Sequence, residues 1–266
     1  MNSMVLSLSA LAALLPATLL PFLRQAARAD ALFWFLLGAA LAGAAALSAV
    51  SLGAQWQTGL PTTLWLAVAV SLAIFGTVVL WMREAARLTP LLLPYLLLLG
   101  ALATGFGPLV GREPLPGGLD AWLAAHIATS VATYGLCTIA AVAGAAVFLQ
   151  ERALKRRSPN AFTRMLPAVT DAERLEVRLL AASEVILGVG IATGVAELYV
   201  TSGTFFMLSH KTLLGVLAFL VIGVLLLLHY RSGLRGRRAA RVVLVAYLLL
   251  TLAYPGVKFV TDVLLA

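Results

Sequence analysis

The sequence predicts an all-α polytopic integral membrane protein, a helical bundle of about eight transmembrane helices with both termini extracytoplasmic. Three observations predict it. Apolar residues make up 62% of the 266 and charged residues only 11%, where a soluble domain carries about 25% charge. The apolar residues run in continuous blocks of about 20, enough to cross about 30 Å of hydrocarbon, and do not alternate as in a membrane barrel. The basic residues gather on alternate loops. A mean hydropathy of +1.00 excludes a water-soluble enzyme and a disordered chain alike.

The first block, 3–23, has no basic residue ahead of it and the length of a full span. It reads as a first helix and not as a cleaved signal, although Ala27-Arg28-Ala29 has a small-x-small form. Blocks 31–52, 62–82 and 89–107 follow on short links with almost nothing ionisable at membrane depth. Block 119–150 holds His126 and the lone Cys137. The longest loop runs from Glu151 to Glu176, is punctuated by Pro159 and Pro167, and is expected to include a short surface helix. Block 178–200 carries Glu184, Glu197 and a Gly190/Gly194 GxxxG pair that signals close helix packing. Block 209–230 opens at His210 and Lys211 and closes at His229, and block 240–264 carries Lys258 and Asp262. One membrane domain, 1–266, is the simplest organisation, with 1–107 as four apolar helices and 119–264 as a four-helix part that holds all three histidines.

The charge distribution sets the topology. Sixteen of the nineteen Lys and Arg residues lie in the odd-numbered loops, the largest sets being in 152–178 and 231–241. Cytoplasmic loops are enriched in these residues, so both termini face away from the cytoplasm. The other three are Arg112, Lys211 and Lys258, on or near the outer side. Trp56, Trp65 and Trp122 are expected at the outer interface, and Trp34 and Trp81 at the inner one. The net charge of +8 is accounted for by retention charges and contacts with anionic membrane lipids, with no nucleic acid required.

Candidate chemistry lies in the second half. Cys137 has no partner for an internal disulfide, and no C-x-x-C-H exists for covalent haem attachment, so it reads as a packing residue. His126 and His210 fall at similar depth on the outer side. Two neutral imidazoles on facing helices can ligate a haem iron from its two faces, or each can bond a neighbouring helix or interfacial water. His229, at the inner end of its helix, fits an interfacial role as well as ligation. Ionisable groups inside spans cost roughly 2.5–3.5 kcal/mol on insertion scales, so each needs a partner or a function. Lys258 and Asp262, at i and i+4, can pair with each other. Alternatively Lys211, Lys258 or Arg112 meets the propionates of a bound haem. Glu184 is placed to face His229. No P-loop, G-x-S-x-G or H-E-x-x-H occurs, and nothing suggests bond-making chemistry, so no enzyme is expected.

From His126 onward the chain resembles the cytochrome c assembly membrane family. The resemblance lies in HIATSVATYGLCTIAAVAGAAVFLQERALKRR, in SHKTLLGVLAFLVIGVLLLLHYRSGLRGRRA and in the closing LAYPGVKFVTDVLL. The family's fifth helix opens with a histidine followed eight residues later by tyrosine, as His126 and Tyr134 stand here. The G-L-R-G-R-R-A turn is similar to its G-W-R-G-x-x-A, and His229 falls near an in-membrane histidine of larger members. All five tryptophans precede residue 123, so the tryptophan-rich outer-loop signature of haem-exporting members is absent and the resemblance is closest to the HemX/YpjD-like branch.

The resemblance implies an outer haem ligand at His126 and non-covalently bound haem b. It implies a haem-handling accessory of cytochrome c biogenesis in the bacterial inner membrane, with other cytochrome c assembly proteins as partners. The alternative expectation is a regulatory or scaffold membrane protein, with a HemX-like effect on tetrapyrrole synthesis or as accessory to a transport complex.

Overall fold

The computed structural model describes residues 3–53, 59–108, 120–204, 209–234 and 236–264. Eight helices among them are long and apolar enough to cross a membrane. They are α1 (Ser3–Arg24), α2 (Ala31–Gly53), α3 (Leu60–Trp81), α4 (Thr89–Phe106), α5 (Ala121–Lys155), α7 (Val169–Ser202), α8 (His210–Ser232) and α9 (Arg237–Thr251), the last continued by irregular helical turns to Leu264. A ninth, short helix, α6 (Ala161–Met165), lies in the α5–α7 connection where a surface helix was expected, and no strand is present among the described residues.

Helix ends follow local chemistry. Asp30 caps α2 by accepting the Phe33 N–H at 2.9 Å, Asp120 caps α5 by accepting that of Leu123 at 2.7 Å, and Asn160 and Thr163 form a reciprocal capping box on α6. Pro61 and Pro90 sit in the first turns of α3 and α4, where a missing N–H costs nothing. Gly203 and Gly233 end α7 and α8 with φ of +69° and +66°, the left-handed region that glycine enters freely.

Two of these helices overrun the blocks read from hydropathy. α5 continues to Lys155 and α7 begins at Val169, because charged, helix-favouring residues such as Glu151, Arg152, Glu173 and Arg174 extend both beyond the apolar stretch.

α5 is the central element, packing most extensively on α7 and then on α9 and α3, while α1, α2, α3 and α4 pack among themselves. α8 stands at the edge against α7 and α9. The core runs through Leu14, Leu37, Phe75, Leu96, Ile139 and Leu175. The outer surface is apolar as well, with Leu23, Val185 and Trp81 exposed, as a lipid-facing surface requires.

Trp65 departs from the aromatic belt expected of it. It is buried at 3% exposure and packs against the helix face at Gly100. Trp122 and Trp81 are exposed, and Trp56 lies outside the described residues.

Much of the basic end is tied together by hydrogen bonds. Gln150 donates to the carbonyls of Thr163, Leu166 and Pro167, and Arg87 to those of Arg164 and Met165. Glu173 accepts the Gly236 N–H at 2.7 Å, and the Arg237 guanidinium stacks 4.7 Å over the Phe148 ring. Several charges expected to be only solvated or lipid-facing are therefore structural.

Candidate functional site

A cavity of about 360 Å³ opens among α5, α7, α8 and the C-terminal helix, within the size range of small-molecule sites. α5 supplies its polar side. His126, Ser130, Thr133 and Tyr134 are spaced four, three and one apart and share one helix face. α7 supplies a flat side through Gly190 and Gly194. An added Cβ at Gly194 would stand 2.9 Å from His126 Cε1, and one at Gly190 would stand 3.2 Å from Thr129 Oγ1. The glycine pair does bring two helices close, and the space it leaves is filled by an imidazole.

The Nδ1 of His126 lies 2.9 Å from the Gly190 carbonyl oxygen. A carbonyl can only accept, so Nδ1 carries the proton. In the neutral imidazole Nε2 is then the nitrogen with the free lone pair, and no protein partner for it occurs among the described residues. This is how metal-binding histidines are fixed: the second nitrogen is bonded to a backbone carbonyl and the first is left with its lone pair.

Lys258 enters the cavity from the C-terminal helix. Asp262 does not pair with it. The Asp262 carboxylate accepts the Leu60 N–H at 2.9 Å and the Thr261 hydroxyl at 2.8 Å, fastening this helix to the start of α3. The cause is local. Pro255 has no N–H, and residues 252–256 and 260–264 widen into π-helical turns, so the i, i+4 register of a regular helix is lost.

The remaining expected site residues are placed elsewhere. His210 is the first residue of α8, two before the lining residue Thr212, and its exposed side chain does not line the cavity. The Lys211 side chain and all of Arg112 lie outside the described residues. His229 is about 28 Å farther along α8, at 1.5 Å per residue, with Nδ1 2.9 Å from the Leu234 carbonyl oxygen and its ring edge-on to Tyr230. Glu184 lies against Gly223 and not against His229, and its Oε2 is buried with no hydrogen-bond partner. Cys137 is buried and donates to the Ser183 hydroxyl at 3.3 Å. Thus His126 and Lys258 share the cavity, and His229 does not belong to it.

A cluster absent from the sequence reading lies beneath. The hydroxyls of Tyr95, Tyr134 and Tyr247 are mutually bonded at 2.5–3.2 Å, Thr138 reaches Tyr247 at 3.1 Å, and the Tyr254 ring packs on Tyr134. Four of the chain's six tyrosines meet here, from α4, α5 and the C-terminal helix. Thr133 Oγ1, at the same level, is buried without a partner.

The residues fit a porphyrin better than a bare ion. Among the described residues no group of three or more His, Cys, Asp or Glu side chains is placed to hold a metal, whereas a haem brings four nitrogens of its own. It would need an apolar slot, a nitrogen for the iron and a cation for a propionate. The cavity walls, His126 and Lys258 supply those three.

The sequence pattern described as Cytochrome C assembly protein matches residues 31–265. An uncharacterized 28.8 kDa protein encoded in the nifR3-like 5' region of Azospirillum brasilense is 52% identical over 99% of both chains. The inner membrane protein YpjD of Escherichia coli K12 is 29% identical over 74% of this chain and 73% of its own. No solved structure matches.

Proposed function

The chain belongs to the cytochrome C assembly protein family, and from that premise we propose that it binds haem b non-covalently in the cavity beside His126. It acts there as a non-enzymatic haem-handling accessory in the bacterial inner membrane. Family membership supports the role in cytochrome c biogenesis. The His126–Gly190 hydrogen bond carries the haem assignment, since it would leave the Nε2 lone pair available to the iron. Haem would bring a redox-active iron to the site. Lys258 would neutralise a propionate, with Lys211 and Arg112 as the further candidates from the sequence. In this reading the basic end faces the cytoplasm, the cavity opens toward the outer side, and other cytochrome c assembly proteins deliver or receive the haem.

Absorption spectra of the detergent-purified protein titrated with haem test the assignment. A Soret band is expected in the parent protein and is lost in His126→Ala. A band unchanged in that variant would overturn it.

The ordered basic end, held by Gln150 and Arg87, favours one second reading, a regulatory or scaffold protein that docks a cytoplasmic partner. Capture of a defined partner that survives haem removal and is lost on altering the 151–176 loop would support it.

A further inference from the structure

A second pocket, of about 300 Å³, lies at the opposite end of the bundle from His126, between the α1–α2 link and the start of α4. We propose that it binds the phosphate of an anionic phospholipid headgroup, with Arg28 as the cation. This site is independent of the haem assignment.

The charges in the pocket are unevenly committed. Arg24 is paired with Asp30 at 2.5 Å, and that carboxylate also caps α2 through the Phe33 N–H. Arg28 lines the same pocket and has no ion pair or hydrogen bond among the described residues. The backbone N–H groups of the lining residues Ala27 and Arg28 likewise find no protein acceptor among those residues. One uncompensated guanidinium beside two free backbone N–H donors is an arrangement that recognises a phosphate.

The walls indicate which phosphate. Leu20, Pro21 and Phe33 form an apolar side, and the neighbouring flank of α1 exposes Leu19, Phe22 and Leu23. A phospholipid seated by its headgroup would continue along that flank with its acyl chains, whereas a free anion gains nothing from it. The pocket also lies at the end carrying the basic loops, where anionic lipids gather.

The full-length protein, delipidated in neutral detergent, is titrated with phosphatidylglycerol, phosphatidylcholine or inorganic phosphate and read by native mass spectrometry. One phosphatidylglycerol is expected to be retained in preference to phosphatidylcholine. Arg28→Gln should weaken that retention about five- to tenfold, the effect of one interfacial arginine, while Arg156→Gln on another basic loop leaves it unchanged. Arg28 has no intramolecular bond to lose, so the melting temperature of lipid-free Arg28→Gln should match the parent and the variant reports on binding alone. No preference for phosphatidylglycerol, or equal losses in both variants, would overturn the site. Displacement of the lipid by an equal concentration of inorganic phosphate would overturn the lipid assignment in favour of a free-anion site.

Discussion

The His126 imidazole on α5 is hydrogen-bonded to the Gly190 carbonyl on α7, and its ring occupies the space that a side chain at Gly194 would fill. One residue of α7 therefore orients the ring and another makes room for it. Gly194→Ala is expected to displace the ring and weaken haem binding at least tenfold. The melting temperature should change little, because alanine favours a helix by about 1 kcal/mol over glycine and this offsets the loss of one hydrogen bond, about 0.5–1.5 kcal/mol. Haem titration and thermal melting of one preparation separate the two effects, and unchanged affinity would show that the ring has another resting place.

Removing the Tyr247 hydroxyl leaves Tyr95, Tyr134 and Thr138 short of a shared partner. Tyr247→Phe should destabilise the protein by about 1–3 kcal/mol, the cost of unpaired buried hydroxyls. Tyr230→Phe, at an exposed ring, should cost nothing measurable. Denaturant or thermal unfolding in detergent makes the comparison.

Asp262 and Lys258 are expected to behave unequally. Asp262→Ala loses the bond to the Leu60 N–H and should cost about 0.5–2 kcal/mol, as a lost helix cap does. Lys258→Ala should leave stability within about 0.5 kcal/mol. Equal losses would mean that the two side chains pair after all.

Glu176 is 3% exposed, and its Oε1 has no hydrogen-bond partner. An apolar replacement of similar length removes an uncompensated polar group, so Glu176→Met should be neutral or stabilising by up to about 2 kcal/mol. A clear fall in melting temperature would reveal a partner for the carboxyl group.

The Asp30 carboxyl is held below its ordinary value of 3.8, first by the Phe33 N–H and then by Arg24. A depressed carboxyl stabilises the fold above its unfolded value and loses that contribution as the pH falls through the folded one. Asp30→Ala should melt slightly below the parent near pH 7, with the gap closing as the pH falls below the ordinary carboxylate range. A gap independent of pH would assign the effect to packing.

The eight spans were legible because apolar length alone decides whether a helix crosses a bilayer. The ends of α5 and α7 were not, since their charged extensions are helical without being apolar. His126 and Lys258 were readable as candidates, and so in principle was the polar stripe His126, Ser130, Thr133, Tyr134, whose spacing places it on one face. The joining of Tyr95 to Tyr247 was not, because it depends on how α4 packs near α9. Pairing of Lys258 with Asp262, one of the two readings open to the sequence, needs a regular i, i+4 helix, and the π-helical turn at 260–264 departs from one. Glu184 does face α8, the helix of His229, but meets it at Gly223, six residues or about 9 Å short of the histidine, a depth that hydropathy alone does not supply.

The overrun of α5 and α7 has a practical consequence. At 35 residues, α5 is about 52 Å long against about 30 Å of hydrocarbon, so it and α7 project from the basic end as a paired stem. A membrane protein of 28.0 kDa offers little outside its micelle by which to align single-particle images. This stem makes the two faces of the particle unlike, which gives its images an up and a down.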